Sequence, residues 1–81
     1  MTDKNISVGA VAIQQALRYR GLSYRSIGEI AGVNPRTVWQ HVAARRGSKV
    51  APWANRSADE REAALERADE LIEMAEVSGI L

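Results

Sequence analysis

Apolar residues recur at helical spacing in four stretches of the chain, each opened by a polar cap and closed by a glycine. In the first, Ala10, Ile13 and Leu17 share one face of a helix expected from about Val8 to Arg20. Ser7 is its expected N-cap and Gly21 its stop, while Gly9 weakens the opening turn. Ser23 caps a second, short helix over roughly Tyr24 to Ala31, apolar at Ile27, Ile30 and Ala31. Gly28 lies where a neighbouring element can approach closely, Gly32 ends the helix with positive φ, and Val33 in the following turn is expected to point inward. Asn34 caps the third helix with Pro35 at its first position, where a missing N–H costs nothing. That helix is expected to reach about Arg45 and to close at Gly47.

The stretch GSKVAPWANR reads as a loop in which Trp53, beside Pro52, pins the chain to the body. Ser57 and Glu60 then have the spacing of a capping box for a fourth helix ending near Ser78, with Gly79 as its stop. On that helix Leu65, Ala68, Leu71, Ile72 and Ala75, with Ala64, fill one arc of about 120°. Glu62, Glu66, Asp69, Glu70, Glu73 and Glu76 occupy the opposite side. The predicted fold is all-α: a three-helix helix-turn-helix core over residues 1–47, a basic loop over 48–56, and a long amphipathic acidic helix over 57–81, within one compact domain.

Composition narrows the picture. At 81 residues, with no Phe and much Ala, the core is thin, and chains of this size often gain stability by oligomerising. There is no Cys, which excludes disulfides and thiolate metal sites. No charged segment followed by an apolar run opens the chain and no run suits a membrane span, so the expected location is the cytoplasm. The net charge of +1 conceals a split. Residues 1–56 carry nine basic side chains against Asp3 and Glu29, and residues 57–81 carry eight acids against Arg61 and Arg67. A basic N-terminal part calls for a polyanionic partner, and the acidic helix is expected to stand away from it.

Two short helices joined by a tight glycine turn can cross steeply, so that the second enters a major groove while the first crosses the backbone. The segment YRSIGEIAGVNPRTVWQHV resembles the helix-turn-helix of bacterial and phage transcription regulators such as the LacI and TetR families. The resemblance rests on Ile27, Gly28, Ala31, Gly32, Val33, Asn34, Thr37, Val38 and Val42, and His41-Val42 is similar to the end of a TetR-type recognition helix. Gly28 stands where those families usually have Ala. The likeness covers residues 24–42 of the 81 and does not extend to ligand domains, so it implies DNA binding and not inducer binding.

With Val38 at the centre of the buried face of the third helix, His41 and Val42 flank it, and Arg36, Gln40 and Ala43 point the other way. Arg36 and Gln40 lie one turn apart; Arg suits guanine and Gln suits adenine in the major groove. Base contacts are expected from Arg36, Gln40, Pro35 and Ala43. Backbone contacts are expected from Tyr24, Arg25, Ser26, Asn34 and Thr37 near the helix starts, and from Arg45, Arg46 and Lys49. Arg56 belongs with this last group, which either follows phosphates, enters a minor groove, or simply adds long-range attraction. Trp39 lies on the flank, open to packing or to DNA sugars. His41, with no second His and no Cys, reads as a partly buried structural residue.

The alanine-rich arc of the last helix either closes the core of its own chain or packs on a twofold mate. The expected dimer interface is Leu65, Ala68, Leu71, Ile72 and Ala75. The expected function is that of a sequence-specific repressor of transcription, dimeric on a palindromic operator and regulating its own promoter. An architectural, recombination or packaging accessory protein is the nearest alternative, and an adaptor working through the acidic helix is another. No nucleophile–base pair, metal cluster or phosphate loop is evident, so no enzymatic activity, cofactor, metal or small-molecule effector is expected.

Overall fold

A computed structural model of the chain describes residues 9–43 and 50–81. It is all-helical over those residues, with no strand among them, and ends in a long helix. The order is α1 (Ala10–Tyr19), α2 (Tyr24–Ala31), α3 (Pro35–Val42), a 3₁₀ turn (Trp53–Asn55) and α4 (Ala58–Ser78). No helix of the described residues is long and apolar enough to cross a membrane.

Most boundaries follow from local chemistry. The Ser26 and Glu60 backbone N–H groups donate to the hydroxyls of Ser23 and Ser57, and the Arg36 N–H donates to Asn34 Oδ1. Each bond satisfies a donor that the first turn of a helix otherwise leaves open. In the expected capping box, the Glu60 carboxylate accepts from Arg56. At the other ends a single device recurs. Gly32 adopts φ 73°, and the Val33 N–H then folds back to the Gly28 carbonyl at 2.9 Å, which turns Val33 onto the core. Gly21 and Gly79 close α1 and α4 in the same way, returning Leu22 and Ile80.

Two boundaries differ from expectation. The N-cap of α1 is Gly9, without a side-chain cap, so Ser7 does not hold that position. α3 ends at Val42, because Ala43 is extended (φ −71°, ψ 131°), rather than running to Arg45. Gly47, its expected stop, falls outside the described residues.

α1 is the hub, packing on α2, α3, the 3₁₀ turn and, most extensively, α4. Its buried face is Ala12, Ala16 and Leu17; α4 contributes Ala64 and Ala68, with Ile27 and Val38 closing the centre. Alanines four apart on both helices keep the side chains short and let the two backbones approach closely. Only Leu17, Ile27 and Val38 are large and fully buried among the described residues, the thin core anticipated from composition. Trp53 packs against this core and lies 5.6 Å from the Tyr19 ring, which pins the loop as expected.

The arc of α4 assigned to a twofold mate is therefore largely occupied within the chain. Ala68 and Ala75 are buried, and Leu65 and Ile72 pack against the same core. The physical reason is that α1 presents its own small-residue face at matching spacing. Leu71 lies at the edge, beside Ile30.

Candidate nucleic-acid interface

The α2–turn–α3 unit is held by one close approach. A Cβ added to Gly28 would sit 2.6 Å from the Val33 carbonyl oxygen and 3.4 Å from the Pro35 nitrogen. The backbone of the turn thus lies directly on α2 where a side chain would otherwise be, so Gly28 is the residue this tight turn requires, not a neutral replacement for Ala.

α3 divides as its pattern implies. Val38 is fully buried, His41 and Val42 are half-buried, and Pro35, Arg36 and Gln40 are exposed. Trp39 keeps 39% of its surface exposed on the flank. Ala43 departs from this arrangement: it lies past the end of α3, half-buried and extended, and does not continue the exposed face.

The arginines separate into two groups. Arg18 donates to the Leu22 carbonyl and lies over the Tyr24 ring at 4.8 Å, while Arg20 makes a two-pronged pair with Asp69 at 2.9 and 3.1 Å. Arg56 donates to Gln15 and Glu60, Arg61 to the Ala54 and Arg56 carbonyls, and Arg67 to Glu70. Arg25 and Arg36 alone among the described arginines have no such bond, and both are exposed, at the starts of α2 and α3. The Gln40 side chain, one turn beyond Arg36, likewise has no hydrogen bond among the described residues.

The other expected contacts are less free. The Tyr24 ring is packed on the core beneath Arg18, the Ser26 hydroxyl accepts from Ser23, and Asn34 caps α3. Thr37 is half-buried. Arg56 is a correction: its guanidinium is turned inward, bonded 2.7 Å from Gln15 Oε1, and cannot also follow phosphates. Arg45, Arg46 and Lys49 lie outside the described residues.

Sequence reasoning missed two residues that position this surface. Gln14 and Gln15 on α1 are buried, at 2% and 4% exposure, although glutamine side chains ordinarily stay in water. Gln15 Nε2 donates to the carbonyls of both His41 (3.0 Å) and Ala51 (2.9 Å), and its Oε1 accepts from Arg56. Gln14 Oε1 lies 2.8 Å from His41 Nδ1. Because an amide oxygen only accepts, Nδ1 carries the hydrogen. The two amides thus fasten the last turn of α3 and the chain at Ala51, on either side of the basic stretch that holds Arg45, Arg46 and Lys49. Helical spacing carries no signal for this: Gln14 and Gln15 fall on the side of α1 away from Ile13 and Leu17, and both are buried because α1 is packed on several sides at once.

Comparison with known proteins adds nothing to this description: no family model, curated protein or solved structure matches the chain.

Proposed function

We propose that the chain binds double-stranded DNA and reads sequence through α3. The observation that carries this reading is the placement of Arg25, Arg36 and Gln40. They are polar side chains with no partner in the described chain; Arg25 and Arg36 stand at the starts of two helices whose connecting turn lies directly on Gly28, and Gln40 lies one turn beyond Arg36. Arg36 and Gln40, one turn apart and opposite Val38, suit adjacent base edges in a major groove. Arg25 suits a phosphate, whose contact fixes register without carrying sequence information. The buried glutamines support the reading, because they fix the last turn of α3 while Asn34 caps its first, and a helix that recognises bases has to be held rigidly.

A single unit of this size grips few bases, so two copies on a repeated half-site are the economical arrangement. The protein then acts as a repressor, occupying an operator and excluding polymerase, with its own promoter as the first site to examine. The acids of α4 repel DNA from the rest of the molecule and leave the α2–α3 surface as the docking face.

The test is fluorescence anisotropy on DNA from upstream of the gene against random DNA, across a salt series. A preference of roughly 10³-fold or more supports specific reading. Equal, steeply salt-dependent binding to both DNAs favours an architectural or packaging role. Absence of binding to either removes the DNA reading.

A further inference from the structure

α3 shows solvent a large apolar side chain beside its polar pair. Trp39 is 39% exposed and is not among the hydrophobic residues packed against the core, to which α3 contributes Val38 and Val42. At about 100° per residue, Trp39 lies roughly 60° from Arg36 around the helix, and Gln40 roughly 40° beyond Arg36 on the other side. Half-buried Thr37 closes the far edge. The outward face of α3 therefore runs from an apolar rim at Trp39 to a hydrogen-bonding centre at Arg36 and Gln40. Tryptophan is a highly buried residue on average, so its place on this rim calls for an apolar partner on whatever α3 docks against.

We propose that Trp39 is a third reading residue, packing its ring against the C5-methyl group of a thymine beside the base pair that Arg36 contacts. The inference rests on the reading of DNA through α3 and deepens it. Among the groups that the major groove displays, the thymine methyl is the apolar one; the others are hydrogen-bond donors and acceptors. Arg36 and Gln40 have the chemistry for donors and acceptors, and neither suits a methyl group. Trp39 does. It sits on the same side of the helix as Arg36 and three residues further along it, within reach of a neighbouring pair. Its bulk on the rim gives apolar selection to a face whose other contacts are polar, so the preferred site contains a thymine at a fixed offset from the guanine taken by Arg36.

The probe is the best-bound duplex selected from a pool randomised at its centre. Each thymine in it is replaced in turn by uracil, which lacks only the C5-methyl, and affinity is read by fluorescence anisotropy. The expected result is one position per half-site at which uracil weakens binding about fourfold, the effect of leaving one methyl group unburied. Trp39→Ala weakens binding to the thymine duplex by at least that factor and erases the difference between thymine and uracil. Trp39→Phe keeps part of it. Both variants are expected to retain the helical circular dichroism spectrum, and the uracil scan on the unaltered protein needs no variant at all.

A flat uracil scan overturns the proposal and leaves Arg36 and Gln40 standing. So does a thymine preference that survives Trp39→Ala. A loss on Trp39→Ala that is equal on the thymine and uracil duplexes places the ring on sugar or phosphate and also overturns it. A pool that yields no enriched sequence removes sequence reading through α3, and the thymine contact with it.

Discussion

α3 and α4 are both amphipathic by pattern, but they use their apolar residues differently. α3 is eight residues long, and its one buried position, Val38, with half-buried His41 and Val42 beside it, accounts for its inner side. Everything opposite is exposed and polar at Arg36 and Gln40. α4 is 21 residues long and carries two stripes. One, through Ala64, Ala68 and Ala75, is buried in its own chain, while the other, through Met74 and Val77, remains in solvent. A helix of two turns meets one set of neighbours, so a single face explains it. A helix of nearly six turns outruns the small core it covers, and its surplus apolar surface needs a different account.

The sharpest way to break this comparison is to cut what holds α3. Gln15→Leu leaves the His41 and Ala51 carbonyls and the Arg56 guanidinium without their buried partner. A loss of about 3 kcal/mol or more is expected in chemical denaturation, since each orphaned buried group costs about 1–3 kcal/mol. Ala68→Leu forces a larger side chain between α1 and α4, and a loss of about 2–3 kcal/mol is expected. Val77→Leu, on the other stripe, should leave the melting temperature essentially unchanged. Equal tolerance of both substitutions would mean that the two stripes are not distinct.

Gly28→Ala puts a methyl group against the Val33 carbonyl, and should cost about 1–3 kcal/mol by moving the turn. Arg36→Ala and Gln40→Ala act on affinity alone: each is expected to weaken DNA binding by about 1–3 kcal/mol and to relax preference at one base pair, with the thermal melt unchanged. The smallest effect belongs to the exposed Arg20–Asp69 pair, 40% and 54% exposed. Arg20→Ala should cost about 0.5 kcal/mol or less, vanishing in high salt.

Legibility followed locality. Caps at Ser23, Asn34 and Ser57, stops at Gly21, Gly32 and Gly79, and the inward face of α3 were all readable, because each depends on residues within four positions of one another. The start of α1 was misplaced because Ser7 is a good cap by type, whereas the helix begins after Gly9. The end of α3 was misplaced because no local signal stops the chain at Val42. The bond from Gln15 to the His41 carbonyl, made from 26 residues away, holds the chain there.

Residue type and spacing by themselves determined an all-α chain, its four helices, the small core, and the separation of a basic N-terminal part from an acidic helix. Those properties come from short-range backbone chemistry and from charge, neither of which requires knowledge of what packs where. Tertiary structure alone decided which stripe of α4 faces α1, why position 28 excludes a side chain, and that Arg56 turns inward while Arg25 and Arg36 do not. Each of these is settled by a partner distant in sequence, competing for the same surface or the same hydrogen bond, and a pattern along one chain cannot say which competitor arrives.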